Sequence, residues 1–180
     1  MRPVATANTR SRMSSSSERN EAFVLRIESS SEERSLALAR RLGSRLRPGD
    51  VIGLTGDLGA GKTLFVRGLC EGIGTHPDVP VCSPTFSLAN IYPGPDFPVC
   101  HLDLYRLADE DELEAIGYRD YVDGRGVVAI EWCEQVPGVL PEDHLFVSIA
   151  VSSATARSFE FRATGLRSGK LLASLRISER

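Results

Sequence analysis

The chain has 180 residues, of which 42% are hydrophobic and 25% charged, and its formal net charge is −3. These values fit one soluble globular domain with a buried core, and no apolar run approaches the roughly 20 residues of a membrane span, which argues against a membrane-spanning protein. Residues 21–156 hold 11 basic and 21 acidic side chains, whereas both ends of the chain are basic. An acidic body argues against a protein that grips nucleic acid through its phosphates alone, while the basic C-terminal segment keeps a contact with RNA as an alternative.

The first 20 residues predict a disordered tail, and residues 21–180 predict the folded domain. The tail has no apolar periodicity and contains a run of Ser at 14–17, so it cannot bury enough apolar surface to fold. Its Arg and Ser content also suits an organelle transit peptide, but it lacks the apolar helical face of one. The cysteines form no C-x-x-C pair and therefore predict reduced thiols in a cytoplasmic protein.

Apolar periodicity and turn residues predict an alternation of strands and helices along the domain. In chain order the predicted elements are a strand at 22–27, a helix within 29–46, a strand at 51–54, a helix at 62–74, strands at 86–92 and 99–105, an acidic helix at 108–117, a strand at 126–132, two antiparallel strands at 144–153 and 157–165, and a terminal helix at 169–178. Ser30 and Glu33 form a capping-box pattern at the start of the first helix. The alternation predicts an α/β fold whose central sheet is mostly parallel, with antiparallel C-terminal strands and flanking helices.

The segment 53–65, GLTGDLGAGKTLF, carries the spacing G-x-x-x-x-G-K-[ST] between a predicted strand and a predicted helix. The pattern is typical of a phosphate-binding loop, because glycines let backbone N–H groups surround a phosphate and the helix start adds a partial positive charge. Lys62 is expected to reach the β- and γ-phosphates, and the Thr63 hydroxyl to ligate Mg²⁺. The predicted nucleotide-binding residues of this loop, called the P-loop below, are Gly56, Asp57, Leu58, Gly59, Ala60, Gly61, Lys62, Thr63 and Leu64. The central sheet is therefore predicted to be of the P-loop NTPase type.

Two acidic residues end apolar strands where a P-loop protein holds its metal. Asp103 closes VCHLD and Glu131 closes VVAIE, and a buried carboxylate is costly unless it is paired or metal-bound. Glu131 closes the more apolar run and is predicted to be the metal ligand. Asp103 either shares the metal shell or orients the attacking water. Ordinary strand-end positions at the surface are the alternative for both residues.

Two further side chains are candidates for contacts with the nucleotide. Thr85 lies in SPTF, on a loop where many P-loop proteins carry a Thr that senses the γ-phosphate. A Thr in a Ser-Pro turn is an equal alternative. Trp132 follows Glu131 and is either a core or rim aromatic residue or a reporter of nucleotide binding.

A phosphate-binding loop is compatible with several classes of protein. The chain has no N-K-x-D motif, which argues against a GTPase, and no compact lid is evident, which a small-metabolite kinase normally needs. An ATPase that drives a partner, a phosphotransferase acting on a metabolite, and a nucleotide-binding protein with negligible hydrolysis remain as three alternatives.

Several blocks together resemble one known family. The blocks LTGDLGAGKT, SPTF, HLDLYRL, DELEAIGYRDY and IEW, followed by an LP segment, occur in the order and spacing of the bacterial TsaE family over about residues 22–165. That family, formerly called YjeE, is the small ATPase of tRNA threonylcarbamoyladenosine synthesis. The resemblance implies a P-loop α/β domain with a mixed sheet that binds ATP with Mg²⁺ and hydrolyses ATP slowly.

The resemblance also implies partners and residue roles. The family works with the TsaD–TsaB heterodimer, which moves a threonylcarbamoyl group from its AMP adduct, made by TsaC, to an adenosine of tRNA, so contact with tRNA would be indirect. By motif match, the catalytic residues would be Asp103, Glu131 and Lys62, the metal ligands Thr63, Glu131 and Asp103, and the nucleotide contacts beyond the P-loop Thr85, Trp132 and Arg157. The sequence departs from the family at Leu64, where many relatives carry a second Thr. Loss of that hydroxyl is expected to weaken ATP binding.

The acidic stretch 103–123 is a candidate docking surface. It holds eight carboxylates against two basic residues. A solvated helix face is the ordinary outcome for such a run, and the alternative is that part of it docks on a basic surface of the TsaD–TsaB heterodimer. In that case, reversal of Asp109, Glu110 and Asp111 to Lys should weaken assembly and leave ATP binding intact.

Overall fold

The computed structural model of the chain describes residues 23–107 and 109–176. Its elements, in chain order, are β1 (Phe23–Ser29), α1 (Glu32–Gly43), β2 (Val51–Thr55), α2 (Lys62–Ile73), β3 (Ala89–Tyr92), β4 (Val99–Asp103), α3 (Glu110–Ala115), α4 (Tyr118–Tyr121), β5 (Val127–Glu131), β6 (Leu145–Val151), β7 (Arg157–Ala163) and α5 (Leu166–Arg176). The predicted disordered tail, residues 1–20, lies outside the described residues.

The strands of the described segments form one sheet in the order β1-β7-β6-β2-β5-β4-β3. Its centre is parallel, because β2 pairs in parallel with β5 and β6, and β5 pairs in parallel with β4. The pairs β1–β7, β6–β7 and β3–β4 are antiparallel. The predicted α/β fold with a parallel centre and antiparallel C-terminal strands is confirmed, and the structure adds antiparallel strands at both edges of the sheet.

Helices cover both faces of the sheet. The buried side chains of α1, α2 and α5 form one core with the sheet, and those of α3, α4 and the segment 132–140 form the other. Strands β4 and β5 are buried at every position, which explains why both read as continuous apolar runs. Because β2, β5 and β4 are parallel neighbours, their carboxyl ends meet at the same edge of the sheet.

Helices α1 and α2 pack closely through glycines. A Cβ atom added at Gly72 would lie 2.1 Å from the carbonyl oxygen of Arg40, and one added at Gly68 would lie 2.4 Å from the Cβ atom of Ala39. Residues with side chains at these two positions would force the helices apart. The contact therefore fixes α2, and with it the P-loop, relative to α1.

Helix α1 begins one residue later than the capping-box pattern predicted. Its N-cap is Ser31 instead of Ser30, and the Ser31 hydroxyl accepts a hydrogen bond of 3.3 Å from the backbone N–H of Arg34. The third helical position is then Arg34, which has no carboxylate to complete a capping box. The predicted role of Glu33 in that box is therefore wrong, although Glu33 still lies in the first turn, where its charge favours the helix.

All of the cysteines have free thiols. Cys82 is exposed, whereas Cys70, Cys100 and Cys133 are buried, and burial raises the pKa of each buried thiol to about 12. Among the helices of the described segments, none combines the length and the apolar character that crossing a bilayer would take.

Candidate functional site

The P-loop, between β2 and α2, has a backbone shape that suits a bound phosphate. Gly56 has a φ of +140°, and a Cβ atom added there would lie 2.3 Å from the carbonyl oxygen of Ile149 on β6. Gly61, the N-cap of α2, has a φ of +108°, and no side chain caps the start of the helix. The first N–H groups of α2 therefore lie at the positive end of the helix dipole without a side-chain partner, which is the ordinary basis of an anion site.

Lys62 is folded back onto the P-loop. Its ammonium group donates hydrogen bonds to the carbonyl oxygens of Gly56 (2.6 Å) and Asp57 (3.0 Å), and it lies 3.6 Å from the centre of the Trp132 ring. Lys62 is only 4% exposed, and burial lowers the pKa of its ammonium group against the opposing effect of nearby carboxylates, chiefly Glu131. A buried cation held by neutral groups strongly attracts any anion that enters the loop.

The two predicted carboxylates lie opposite one another at the ends of adjacent strands. Asp103 on β4 and Glu131 on β5 are register partners and are 2% and 3% exposed. One oxygen of Glu131, Oε1, lies 2.8 Å from both the Thr63 hydroxyl, which donates to it, and Nε2 of His101. The Thr63 hydroxyl and the Glu131 carboxylate are thus a neighbouring pair of oxygen donors, the ligand type that Mg²⁺ prefers.

Asp103 is held by the segment that precedes β3. The hydroxyl groups of Ser83 and Thr85 both donate hydrogen bonds to Oδ2, that of Thr85 at 2.7 Å, and the backbone N–H of Tyr105 donates to Oδ1 at 3.0 Å. The SPTF loop is therefore tied to the Asp103 carboxylate, and a movement of Thr85 necessarily changes the surroundings of Asp103.

These groups line one cleft of about 390 Å³, called the P-loop cleft below. The predicted site residues that line it are Leu58, Gly59, Gly61, Lys62, Thr63, Leu64, Thr85, Asp103, Glu131 and Trp132. The other predicted residues of the P-loop do not line it: the carbonyl groups of Gly56 and Asp57 hold Lys62, and Ala60 is buried. The fold therefore brings the P-loop, the SPTF loop and both carboxylates to one place.

Arg157 lines a different cavity from the two carboxylates. Its Nε donates a hydrogen bond to the carbonyl oxygen of Ala60 at 2.9 Å, and its Nη1 donates to those of Ser153 (3.1 Å) and Ala156 (2.9 Å). It lines a second cavity of about 380 Å³ between the P-loop, the start of α1 and the β6–β7 turn. Arg157 thus contacts the loop but not the groups expected to act on a γ-phosphate.

Three residues that were not predicted belong to the site: Ser83, His101 and Tyr105. His101 lies two residues before Asp103 on β4, so the strand period of two puts both on one face and is a signal that would have found it. Ser83 lies two residues before Thr85 in SPTF, and its hydroxyl was as good a candidate. No sequence pattern marks Tyr105, which follows the end of the strand.

The donor set fits Mg²⁺ bound together with a nucleotide. In the part of the chain that the structure describes, no three His, Cys, Asp or Glu side chains gather into an all-protein metal site. Mg²⁺ usually keeps several waters and takes one or two carboxylates together with substrate phosphates. Glu131 beside Thr63, at the start of the P-loop helix, is a set of that kind.

Comparison with known proteins points to one family. The family model described as "Threonylcarbamoyl adenosine biosynthesis protein TsaE" matches residues 29–159, a span that contains every predicted site residue. A tRNA threonylcarbamoyladenosine biosynthesis protein TsaE from Bacillus subtilis is 38% identical over 135 residues, which cover 75% of this chain and 83% of that protein. A protein of the same description from Streptomyces coelicolor is 40% identical over 134 residues, which cover 72% of this chain and 88% of that protein.

A solved structure shares the fold. The crystal structure of Bacillus subtilis YdiB matches with a TM-score of 0.75 and 30% sequence identity, covering 88% of this chain and 98% of that chain. Sequence and fold agree over nearly the whole described domain, and the chain therefore belongs to the TsaE family.

Proposed function

We propose that this chain is a Mg²⁺-dependent ATPase that supports tRNA threonylcarbamoyladenosine biosynthesis by acting on the TsaD–TsaB heterodimer. The observation that carries the proposal is the contact between Thr63 and Glu131, which joins a hydroxyl and a buried carboxylate at the start of the P-loop helix in a member of the TsaE family. In this proposal the chain does not transfer the threonylcarbamoyl group itself, and its contact with tRNA is indirect.

ATP binding would use the groups of the P-loop. The N–H groups at the start of α2 take phosphate oxygens, and Lys62 exchanges the carbonyl oxygens of Gly56 and Asp57 for the β- and γ-phosphates. Because Lys62 is buried, water and salt screen this attraction little. Thr63 and Glu131 would hold Mg²⁺, which neutralises charge on the phosphates when it is bound.

Hydrolysis needs a group that orients the attacking water, and we assign that task to Asp103. Its carboxylate is fixed by the hydroxyl groups of Ser83 and Thr85 and by the Tyr105 N–H, so it is oriented before a nucleotide arrives. Attack of the oriented water on the γ-phosphorus would break the bond to the β–γ bridging oxygen and yield ADP, inorganic phosphate and a proton released to solvent. Lys62 lines the same cleft, where its positive charge would stabilise the negative charge on the phosphates.

In this proposal, the SPTF loop links Asp103, which orients the water, to the surface of the chain. Thr85 is bonded to Asp103, whereas its neighbour Phe86 is 86% exposed and stacks against the guanidinium group of Arg106 at 4.4 Å. A rearrangement of Thr85 on loss of the γ-phosphate would therefore move an exposed aromatic side chain. We infer that the partner heterodimer reads the state of the nucleotide at this loop.

A cytoplasmic location is part of the proposal. Free thiols, three of them buried, support a chain that works in a reducing compartment. The alternative function, a small-metabolite kinase, gains no support from the second cavity, because none of Lys62, Asp103 and Glu131 lines it.

The test is multiple-turnover threonylcarbamoylation of tRNA by TsaC, TsaB and TsaD, with this chain unmodified or substituted. Lys62→Ala is expected to weaken ATP binding strongly, and Asp103→Asn to retain ATP binding while hydrolysis falls by about 100-fold or more. Both substitutions should stop sustained turnover, whereas Lys170→Ala, which removes an exposed lysine of α5, should not. Turnover that does not depend on this chain, or phosphorylation of a small metabolite by it, would overturn the proposal.

A further inference from the structure

We propose, on the basis of the proposed function, that His101 is a positioning residue for the magnesium site. Its ring fixes one oxygen of the Glu131 carboxylate and leaves the other oxygen for the cation. The inference deepens the ATPase proposal, because it assigns a role to a buried group that neither nucleotide binding nor hydrolysis uses directly.

Packing alone does not account for a histidine at this position. His101 is 0% exposed on the sheet face that α2 covers. Its Nε2 lies 2.8 Å from Oε1 of Glu131, whereas its Nδ1 has no hydrogen-bond partner among the described residues. A buried polar atom without a partner costs free energy that an apolar side chain of similar size would not. Besides a ring contact with Tyr92, whose centroid lies 6.1 Å from that of His101, the contact with Glu131 is therefore the feature that distinguishes histidine from leucine here.

The register of β4 and β5 brings the two side chains together. Asp103 lies opposite Glu131, and His101 lies opposite Ala129. These four residues share one face of the sheet, because same-face residues along a strand are two apart. The small side chain of Ala129 leaves room for the His101 ring to lean along the sheet toward Glu131, as diagonal neighbours on a sheet can do.

The contact fixes the hydrogen on His101 and the orientation of Glu131. An ionised carboxylate only accepts hydrogen bonds, so Nε2 must carry the proton and donate it. Oε1 therefore accepts from both His101 and Thr63, while no residue of the described segments donates a hydrogen bond to Oε2. The Thr63 hydroxyl, having donated its proton, would still offer its lone pairs to a cation held by Glu131. Residues that orient a metal ligand act in this way.

Three substitutions separate a donor at the Nε2 position from side-chain volume. His101→Gln keeps an N–H at about the reach of Nε2, His101→Asn keeps an amide that is too short to reach Glu131, and His101→Leu fills the space without a donor. The measurement is the affinity for ADP as a function of Mg²⁺ concentration, with ADP in EDTA as the metal-free control.

The readout is the Mg²⁺ concentration that gives half of the full magnesium-dependent change in ADP affinity. This concentration should rise about 10- to 100-fold in His101→Leu and His101→Asn, and stay within about threefold of wild type in His101→Gln. Metal-free ADP binding should not change in any of them. In a Glu131→Ala chain, addition of His101→Leu should have no further effect on the dependence on Mg²⁺, because the positioned carboxylate is gone.

Three results would overturn the role of His101 alone. The His101→Leu chain could depend on Mg²⁺ as wild type does, or it could lose as much affinity for ADP without Mg²⁺ as with it. The effects of His101→Leu and Glu131→Ala on the dependence on Mg²⁺ could also be additive. If the Leu and Asn chains do not fold, His101→Gln decides, since a dependence on Mg²⁺ like that of wild type supports the role and its loss overturns it. A wild-type chain that binds ADP equally with and without Mg²⁺ would overturn the proposed function and the role of His101 together.

Discussion

Trp132 has a left-handed backbone conformation, with a φ of +57°, directly after β5. Such a conformation costs a residue with a side chain about 1–3 kcal/mol and persists where the surroundings determine it. Its ring lies under the ammonium group of Lys62, 3.6 Å away, and 4.9 Å from the ring of Tyr105. This backbone conformation accompanies a ring whose face lies against the ammonium group of Lys62.

Binding of MgATP is expected to change the fluorescence of Trp132, because Lys62 leaves the ring for the phosphate oxygens. The chain has one Trp, so the signal has a single source. Lys62→Met removes the charge but keeps the length of the side chain, and it should remove most of the change at nucleotide saturation verified by equilibrium dialysis. Lys170→Met is the control and should respond like wild type. A change of full size in Lys62→Met would contradict this role of the cation.

At the site, the sequence predicted which strand ends carry carboxylates but not how these are bonded. Asp103 and Glu131 stand out because a charge closes an apolar run, a pattern that is visible in one segment at a time. The bond from His101 to Glu131 joins residues on two strands, and it depends on a register that no single segment contains. Pairings of this kind become visible only once the strands are aligned.

At the scale of elements, the close contact between α1 and α2 predicts that alanine lowers the free energy of unfolding at Gly72, whereas alanine raises it at a glycine of α5 without such a contact. Gly72→Ala adds a methyl group 2.1 Å from the Arg40 carbonyl oxygen, and it should lower the free energy of unfolding by about 1–3 kcal/mol, although alanine favours a helix by about 1 kcal/mol. Gly169 in α5 is the control, because an added Cβ would meet no atom within 4 Å. Gly169→Ala should raise the free energy of unfolding by about 0.5–1 kcal/mol. Urea unfolding measures both, and destabilisation by both would contradict the steric argument.

The start of α5 is stabilised by a carboxylate from outside the helix. Asp143 accepts hydrogen bonds from the backbone N–H groups of Arg167 (2.8 Å) and Ser168 (2.9 Å). Burial would raise the pKa of Asp143, but the hydrogen bonds from Ser168 and Arg167 outweigh burial and hold the pKa below its ordinary value. A group whose pKa is lower in the folded chain stabilises the fold above its unfolded pKa of about 3.9, and this contribution is lost as the pH falls through the folded pKa.

Asp143→Ala should therefore lower the free energy of unfolding at pH 7 by about 1 kcal/mol, as loss of a helix cap does. The difference from wild type should shrink as the pH falls below about 3.9, because wild-type Asp143 then loses its charge as well. Urea unfolding followed by circular dichroism at pH 7 and at acid pH measures it. A difference that does not depend on pH would show that the charge of Asp143 is not what stabilises α5.

The elements that were predicted well repeat a local pattern, and the one that was missed does not. Helix α2 was predicted because an apolar periodicity runs from the P-loop to Gly74, which has a φ of +99° and ends the helix. Helix α4 has four residues, too few to display a helical period. It rests on Tyr118, whose hydroxyl donates to the carbonyl oxygen of Val139, 21 residues further along the chain. Its stability comes from the tertiary fold, which local patterns do not record.

At the scale of the whole molecule, acidic residues flank β4 along the chain. The acidic helix α3 follows the strand, and the exposed Asp96 precedes it. Asp111→Lys should slow association with the TsaD–TsaB heterodimer about two- to fivefold, the equivalent of one exposed ion pair, and the effect should shrink in salt. Asp109 is less suitable, because its carboxylate caps α3 by accepting from the Glu112 N–H at 3.0 Å. Asp96→Lys makes the same change of charge at the other end of β4 and is the control. Equal slowing by both would exclude docking through α3 in particular.

The order of the strands in the sheet also determines when the fold can be completed during translation. Of the described strands, β1 is synthesised first, yet its partner is β7: Phe23 pairs with Ala163, and Arg26 pairs with Glu160, which lies 134 residues later. At about 5–20 residues per second, the ribosome makes β7 about 7–27 s after β1. Throughout that interval β1 is a nascent segment without its neighbour, and the sheet becomes complete only when nearly the whole domain has left the ribosome.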